Sequence, residues 1–326
     1  MKILTATSEN IAAAANALCA GDLVALPTET VYGLAANASD ESAIQKIYDT
    51  KGRPANNPLI IHVANAEMAE HYGVFNDDVR ALAAVFWPGP LTLVMPKSNE
   101  GRMVCNLAAT LDTVAIRVPA HPVAQALLLA FDGALAMPSA NRSGKLSPTQ
   151  ANHVADAFAG FDQPKIILAG GRAQAGVEST IVDCTSSPPR ILRPGSVTIE
   201  ELRAVVPNIE SFVTCEINLD LTPDAKVIAP GLLHKHYAPQ TPLRLNAAEV
   251  FEGEAVLAFG TEPLWTRRAV QMLNLSPSSD LAEAAHNLFS HLHMLDHAGA
   301  RKIAVMPIPN EGIGIALNDR LLRAAS

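Results

Sequence analysis

Five short segments in the first two hundred residues combine cationic side chains with hydroxyl or amide side chains. In chain order they are KGRPANNPL (51–59), AIRVP (115–119), PSANRSG (138–144), GVESTIVD (176–183) and ILRPGS (191–196). Each lies where an apolar run meets a proline or glycine turn, which is where an α/β sheet presents polar groups to a ligand. Lysine and arginine supply charge to a phosphate or carboxylate, while serine, threonine and asparagine supply directional hydrogen bonds. The five segments together predict a site for an anionic small molecule.

Two of these segments carry specific expectations. Lys51 and Arg53 are predicted to project from a loop, because Gly52 and Pro54 set a turn between them. Arg117 interrupts the apolar strand VAIRVP, and a buried guanidinium needs an anion partner, either a structural carboxylate or the carboxylate of a ligand. The spacings GxxxxGK[ST] and GxGxxG are absent, so side chains from several loops must hold any nucleotide.

Composition limits the classes of function. The chain has 326 residues, 49% hydrophobic and 17% charged, with a net charge of −8. That charge disfavours direct nucleic-acid binding, although it leaves room for a local basic pocket. No stretch approaches ~18 uninterrupted apolar residues, and the first residues lack the apolar core of a signal peptide. We therefore expect a cytoplasmic chain that neither spans nor binds a membrane.

The order of apolar runs predicts two α/β units. Strand-like runs such as LVALP, PLIIHV, LTLVMPK, VAIRVP, ALAMPSA, KIILAG and STIVDC alternate irregularly with helical patterns, which indicates an open, twisted, mixed sheet over residues 1–206. Residues 207–242 contain five prolines and little periodicity, as linkers do. Residues 243–326 alternate strands and helices and predict a small parallel, Rossmann-like sheet.

Helix starts are predicted from capping residues. Thr7 or Ser8 would cap the first helix, Ser39 the next, and Thr198 with Glu201 would form a capping box. Ser147 would cap a further helix, with Pro148 at its first position and Gln150 closing a capping box.

Histidines occur in two places that could carry function. His286, His293 and His297 share a helical spacing, but without an HExxH motif they indicate a polar helix face rather than a metal site. The linker segment APGLLHKHYAP (229–239) concentrates histidine, lysine and tyrosine between prolines. It is a candidate lid over the site.

The motifs PTETVYGL, KGRPANNPLIIHV, WPGPLTLV, AIRVP, PSANRSG, ESTIVD and LRPG, in this order, resemble the YrdC-like threonylcarbamoyl-AMP synthase family over residues 5–206. The linker and the last domain resemble the long, two-domain form. The family's K-x-R and S-x-N motifs stand here as 51–53 and 139–141.

The resemblance implies a nucleotidyltransferase. L-Threonine, bicarbonate and ATP would give L-threonylcarbamoyladenylate and pyrophosphate, and the product would pass to the machinery that makes N6-threonylcarbamoyladenosine (t6A) at position 37 of tRNAs decoding ANN codons. Lys51 and Arg53 would be catalytic. ATP would be bound by Lys51, Arg53, Asn57, Thr113, Ser139, Asn141, Ser147, Arg193 and Tyr237. L-Threonine would be bound by Thr30, Tyr32, His62, Arg117 and Ser179. Mg²⁺ is expected with ATP, with no motif that names its ligands.

Two alternatives belong to other classes. One is a module that binds double-stranded RNA or the ribosome, which the net charge of −8 disfavours. The other is a carbamoyl-transfer domain like that of hydrogenase-maturation proteins, which are longer and carry zinc-finger cysteine pairs. The four cysteines here form no CxxC pair.

Overall fold

The computed structural model of the chain describes residues 1–104, 111–211 and 236–326. Ten strands form the first sheet. They are β1 (Lys2–Thr5), β2 (Val24–Leu26), β3 (Gly33–Asn37), β4 (Ile60–His62), β5 (Leu91–Pro96), β6 (Thr113–Arg117), β7 (Leu135–Ala136), β8 (Ile166–Ala169), β9 (Thr180–Asp183) and β10 (Arg190–Arg193). Their order is β1-β8-β2-β3-β7-β4-β6-β5-β9-β10, with parallel and antiparallel neighbours. The predicted open mixed sheet is confirmed.

Helices cover this sheet. They are α1 (Ser8–Cys19), α2 (Glu41–Lys51), α3 (Ala66–Tyr72), α4 (Asp77–Phe86), α5 (Asn99–Val104), α6 (Pro122–Phe131), α7 (Ala151–Ala157) and α8 (Ile199–Val205). Along β2, Val24 and Leu26 pack with α1 and α6, whereas Ala25 joins the core under α2 and α4. Because side chains alternate between the faces of a strand, β2 is buried on both sides, and this explains its continuous apolar run.

The second sheet is parallel throughout, as predicted. Its strands are β11 (Leu243–Arg244), β12 (Glu254–Ala258), β13 (Met272–Asn274) and β14 (Lys302–Val305), in the order β11-β14-β12-β13. A 3-10 helix (Leu264–Arg268) and two α-helices, α9 (Leu281–Asp296) and α10 (Gly314–Ala325), accompany it. The domain limits at 206 and 242 stay predictions, and much of the linker lies outside the described residues.

Some local expectations are confirmed and others are wrong. Thr7 caps α1, and the capping box of Thr198 and Glu201 opens α8. Asp40, rather than Ser39, caps α2 by accepting from two backbone N–H groups. Ser147 caps no helix: α7 begins at Ala151, and the Ser147 hydroxyl donates to a carboxylate of Glu178 instead. A tertiary partner has displaced the local one.

Three strands, β4, β6 and β10, place polar side chains at the cleft from the face of the sheet opposite the main core. On this face Ile60 and His62 alternate with the core residue Ile61. A register shift between Ile191 and Arg193 adds one residue to β10. Such a bulge re-aims the following side chain, and it turns Arg193 toward the same face.

Loop residues from the first part of the chain join the hydrophobic core of the second. Val31, Leu146 and Val177 from the first part of the chain pack in the same cluster as Phe289 and Leu317 of the second. Hydrogen bonds at the edge of this contact join Arg172 to the carbonyl of His286 at 2.7 Å and His286 Nδ1 to the carbonyl of Gln174 at 2.8 Å.

Two glycines test this docking. Gly176 has φ of +73°, and a Cβ there would lie 2.2 Å from the carbonyl oxygen of Ala285 on α9. Gly171 has φ of +85° with nothing within 4 Å of its Cβ position. Both alanine variants incur the left-handed backbone penalty of about 1–2 kcal/mol, so Gly171→Ala is the matched control. We expect Gly176→Ala to lower the free energy of unfolding in urea by clearly more than Gly171→Ala does. Equal losses would contradict tight docking of α9.

Candidate functional site

A cleft of about 50 Å³ lies at the carboxyl ends of the parallel strands β4 and β6. Eight of the residues singled out from the sequence line it: Thr30, Arg53, His62, Arg117, Ser139, Ser179, Arg193 and Tyr237. They come from separate stretches of the chain. The prediction that the five polar segments converge on one site therefore agrees with the geometry.

The other six stand behind the lining or away from it. They are Tyr32, Lys51, Asn57, Thr113, Asn141 and Ser147. The Tyr32 hydroxyl donates to the carbonyl of Gly171 at 2.7 Å, a contact that ties two loops together. Thr113 is the first residue of β6 and Arg117 is the last, so the two lie at opposite ends of the strand. Its role in nucleotide binding stays a prediction.

Lys51 and Arg53 are buried rather than displayed on a loop. Lys51 is the last residue of α2 and 2% exposed, and Arg53 is 8% exposed. The helix ends at Gly52 in the left-handed conformation (φ 61°), which turns the chain so that both side chains enter the protein. The expectation that both project from a loop is wrong for Lys51, and Arg53, which follows the helix end, is buried as well.

Lys51 supports the S-x-N turn. Its Nζ donates to the carbonyl of Ser139 at 2.6 Å and to that of Asn141. Within the turn, the Ser139 hydroxyl donates to Asn141 Oδ1 at 2.6 Å. Burial, with the nearby charges of Arg53 and Arg142, holds the pKa of Lys51 well below its usual value.

Asn57 orients Arg53. The Arg53 Nη2 donates to Asn57 Oδ1 and to the carbonyl of Pro58, both at 2.7 Å, and its Nε donates to the carbonyl of Asn57 at 3.1 Å. Burial lowers the pKa of Arg53 to about 10, so the guanidinium stays charged at neutral pH. Within the described ranges neither Lys51 nor Arg53 forms an ion pair with a carboxylate.

Arg117 is held by a carboxylate and a hydroxyl. Its Nη2 lies 2.7 Å from Glu29 Oε1 in a buried ion pair, and its Nη1 donates to Thr30 Oγ1 at 2.9 Å. Burial opposes ionisation of Glu29, but the Arg117 charge and several hydrogen bonds outweigh it and lower the pKa of Glu29. The structural partner that the sequence left open is therefore present, and the guanidinium still borders the cleft.

His62 presents a lone pair to the site. Its Nδ1 lies 3.2 Å from the carbonyl of Ile60, which can only accept, so Nδ1 carries the proton and Nε2 is an acceptor. Burial, together with the charge of Arg117, lowers the pKa of His62 well below its usual value. The ring is a neutral acceptor at physiological pH.

Arg193 and Ser179 form the opposite wall. Arg193 Nη2 donates to the carbonyl of Ser179 at 2.9 Å and to its Oγ at 3.2 Å, while that Oγ also lies 2.8 Å from Thr92 Oγ1. Burial lowers the pKa of Arg193. The β10 bulge makes this contact possible.

Three polar lining residues were not among the residues predicted from the sequence: Thr28, Glu178 and His236. Glu178 directly precedes Ser179 in ESTIVD, and His236 directly precedes Tyr237, so motif proximity alone could have found both. Burial lowers the pKa of His236 to about 3, which keeps its ring neutral. Lys235 and the rest of the expected lid before it lie outside the described residues.

The lining of the cleft carries more positive than negative charge. Arg53, Arg117 and Arg193 line it, and Glu178 is the one carboxylate among its lining residues. Glu178 is paired with Arg320, and Glu29, behind the lining, is paired with Arg117. Three buried guanidinium groups at one cleft favour an anionic ligand.

We expect His62 to stay neutral, with the proton on Nδ1, around pH 6.5, where an ordinary histidine titrates. Its pKa is lower in the folded chain than unfolded, so this histidine removes stability as the pH falls through about 6.5. ¹⁵N-histidine spectra recorded around that pH measure the tautomer. His62→Gln identifies the signal, and urea-unfolded protein gives the titrating reference. A His62 signal that titrates near pH 6.5 would contradict the assignment.

Comparisons with known proteins agree with this geometry. The model of the Sua5, YciO and YrdC family, described as "Telomere recombination", matches residues 16–195. A second model, described as the C-terminal domain of threonylcarbamoyl-AMP synthase, matches residues 197–326.

Relatives match along nearly the whole chain. The threonylcarbamoyl-AMP synthase of Pyrococcus abyssi is 40% identical over 321 residues, 94% of this chain and 91% of the relative. That of Bacillus subtilis is 36% identical over 336 residues, 99% and 94% of the two chains. A crystal structure of P. abyssi Sua5 complexed with L-threonine gives a TM-score of 0.89 at 36% identity and covers 100% of this chain and 98% of that one. The chain therefore belongs to the Sua5, YciO and YrdC family and carries the C-terminal domain of threonylcarbamoyl-AMP synthases.

Proposed function

We propose that this chain is a nucleotidyltransferase that makes L-threonylcarbamoyl-AMP and pyrophosphate from L-threonine, bicarbonate and ATP. The product would serve the t6A modification at position 37 of ANN-decoding tRNAs. Family membership supports this function, as does the convergence of three buried arginines on one cleft. The arginines are the observation that carries the proposal, because this reaction brings a triphosphate, an amino-acid carboxylate and a carbamate together.

The threonine side of the cleft would be Arg117, Thr30, His62 and Ser179. Arg117 would bind the threonine carboxylate, since a guanidinium fits a carboxylate in a two-point contact. The neutral Nε2 of His62 accepts a hydrogen bond, so it suits the threonine hydroxyl or amine. Glu29 and Thr30 hold the guanidinium before substrate arrives, which lowers the entropic cost of binding.

The nucleotide side would be Arg53, Ser139, Arg193 and Tyr237. Arg53 and Arg193 would contact the phosphates and stabilise the charge on the departing pyrophosphate. Lys51 would act on the phosphates through the S-x-N turn that it supports. Ligand pockets are typically ~300–1,000 Å³, so the cleft of about 50 Å³ must widen when ATP enters. Tyr237 and His236 are the lining residues that come from the linker.

The chemistry needs no nucleophile from the protein. The neutral threonine amine attacks bicarbonate, water leaves, and an N-carboxylate forms. A carboxylate oxygen then attacks the α-phosphorus of ATP, and the bond to the β-phosphate oxygen breaks to release pyrophosphate. The residues described here bind and orient these groups and stabilise their charges, which is the main source of rate in phosphoryl and adenylyl transfer.

Mg²⁺ would accompany ATP. Among the described residues no group of three His, Cys, Asp or Glu side chains could hold a metal ion. Glu29 and Glu178 are both paired with arginines. This donor set suits a Mg²⁺ held mainly by phosphate oxygens and water, as is usual for nucleotide sites. When bound, the ion would neutralise phosphate charge.

The product would go to a tRNA threonylcarbamoyl-transferase, and no helix among the described residues is long and apolar enough to cross a membrane.

The decisive test is pyrophosphate release by purified protein. We expect release from ATP that requires both L-threonine and bicarbonate, with a product of the mass of threonylcarbamoyl-AMP. Release that is absent, or equal without threonine, would contradict the proposal. If the protein instead shifts double-stranded RNA in a gel at low salt, the RNA-binding alternative takes its place.

Arg117→Lys should raise KM for L-threonine by about 10- to 100-fold, because lysine keeps the charge but loses the two-point contact. KM for ATP should stay within about twofold. The lysine retains a cation beside Glu29 and so limits the loss of stability. The control is Arg190→Lys, which alters the more exposed pair with Asp183. A comparable rise in KM for ATP would argue against a threonine-specific role.

A further inference from the structure

Arg320 belongs to the domain of the second sheet and contacts residues at the wall of the cleft in the first domain. It lies on α10 and is 1% exposed, and it is among the largest fully buried side chains of the described residues. Its Nε donates to Glu178 Oε2 at 2.8 Å, and its Nη2 donates to the carbonyl of Pro194 at 3.0 Å. Pro194 directly follows Arg193, so Arg320 contacts two stretches that form the cleft wall.

The same guanidinium packs on Tyr237. Arg320 Cζ lies 5.1 Å from the centre of the Tyr237 ring, within the range of a cation–π contact. Phe289 of α9 lies 5.8 Å away from that ring, at a tilt of 35°. Arg320 on α10 and Phe289 on α9 therefore both contact a tyrosine that lines the cleft.

These contacts hold Tyr237 in a strained backbone conformation. Its φ is +62°, a left-handed conformation that side-chain-bearing residues seldom adopt. Strain of this kind persists only where the surroundings over-determine it. The ring is 1% exposed, and its backbone neighbour Ala238 donates from its N–H to the carbonyl of Gly144 at 2.8 Å.

Glu178 connects Arg320 to the predicted nucleotide residues. It accepts from the Ser147 hydroxyl as well as from Arg320. Burial opposes its ionisation, but the charges of Arg320 and Arg193 and these hydrogen bonds lower the pKa of Glu178 below its usual value. Asp319 balances Arg320 on the other side and also binds Arg323 at 2.9 Å.

We propose that Arg320 is a positioning residue through which the C-terminal domain holds Tyr237 and Glu178 in the geometry that binds ATP. The inference rests on the proposed function only for the identity of the nucleotide. Arg320 acts through Tyr237, Glu178 and Pro194, which places its effect on the nucleotide side. The threonine side, built around Arg117 and Glu29, lies outside these contacts.

The test uses four variants of the full chain. Arg320→Met removes the cation and leaves Glu178 buried without it, which is destabilising by itself. Glu178→Gln alone, and the double variant that combines it with Arg320→Met, separate this loss of stability from a loss of positioning. In the double variant a glutamine replaces the buried carboxylate that the loss of Arg320 would otherwise leave unpaired. Arg244→Met is the matched control: Arg244 pairs with the 4%-exposed Glu254 at 2.6 Å in the same domain.

Three quantities are measured for each variant: Kd for ATP by calorimetry, KM for ATP and for threonine from pyrophosphate release, and the urea midpoint. We expect Arg320→Met to weaken ATP about tenfold and to leave KM for threonine within about twofold. Arg244→Met should lose stability without changing Kd for ATP. The double variant should regain urea midpoint relative to Arg320→Met, yet bind ATP about tenfold more weakly than Glu178→Gln alone.

A purely structural role predicts another pattern. If ATP affinity recovers together with the urea midpoint in the double variant, or if Arg244→Met weakens ATP equally, the proposal is overturned. Unchanged Kd for ATP in Arg320→Met overturns it as well. Loss of ATP affinity in a protein that releases no pyrophosphate would support the positioning role and contradict the proposed reaction instead.

Discussion

Burial of positive charge is the constraint on which the rest of this structure depends. Lys51, Arg53 and Arg193 lose water on folding, and their lowered pKa values report that loss. Each must therefore be met by fixed oxygens, and the chain supplies carbonyls at the S-x-N turn, at 57–58 and at Ser179. Fixed oxygens require rigid turns. The motifs that surround these cations are the turns that keep the carbonyls aimed at them.

Strand geometry decides which polar residues meet. His62 and Arg117 are register partners at the ends of parallel strands, and the alternation along each strand puts both on the open face beyond Ile60 and Ala115. Arg193 would point to the covered face of β10 if the strand were regular. The extra residue after Ile191 changes that. Regular alternation would place Arg193 in the apolar core. The bulge places it in the site instead.

Much of the fold could be predicted from the sequence, because alternation, apolar runs and turn residues are local properties. β3 is absent from the strand-like runs predicted from the sequence, since Gly33 and two alanines carry little strand propensity, yet it pairs with β2 and β7. The site was harder. Motif spacing identified residues that converge on the cleft, but not which of them face the ligand: Lys51 and Asn57 serve as supports. Glu178 was missed because its importance comes from Arg320, 142 positions later in the chain. Ser147 was misassigned as a cap because Glu178 competes for its hydroxyl.

The C-terminal domain and the cleft form a single packing arrangement. Val31 lines the cleft beside Thr30, Val177 directly precedes the lining residue Glu178, and both valines lie in the hydrophobic cluster that includes residues of α9 and α10. The same stretches of chain therefore border the cleft and pack against the second domain. Because interiors are packed at crystal-like density, a shift of the domain contact moves these stretches rather than being absorbed. The second domain thus acts on the cleft through residues that belong to the lining or directly precede it, and the lining residues 236 and 237 come from the linker rather than from that domain.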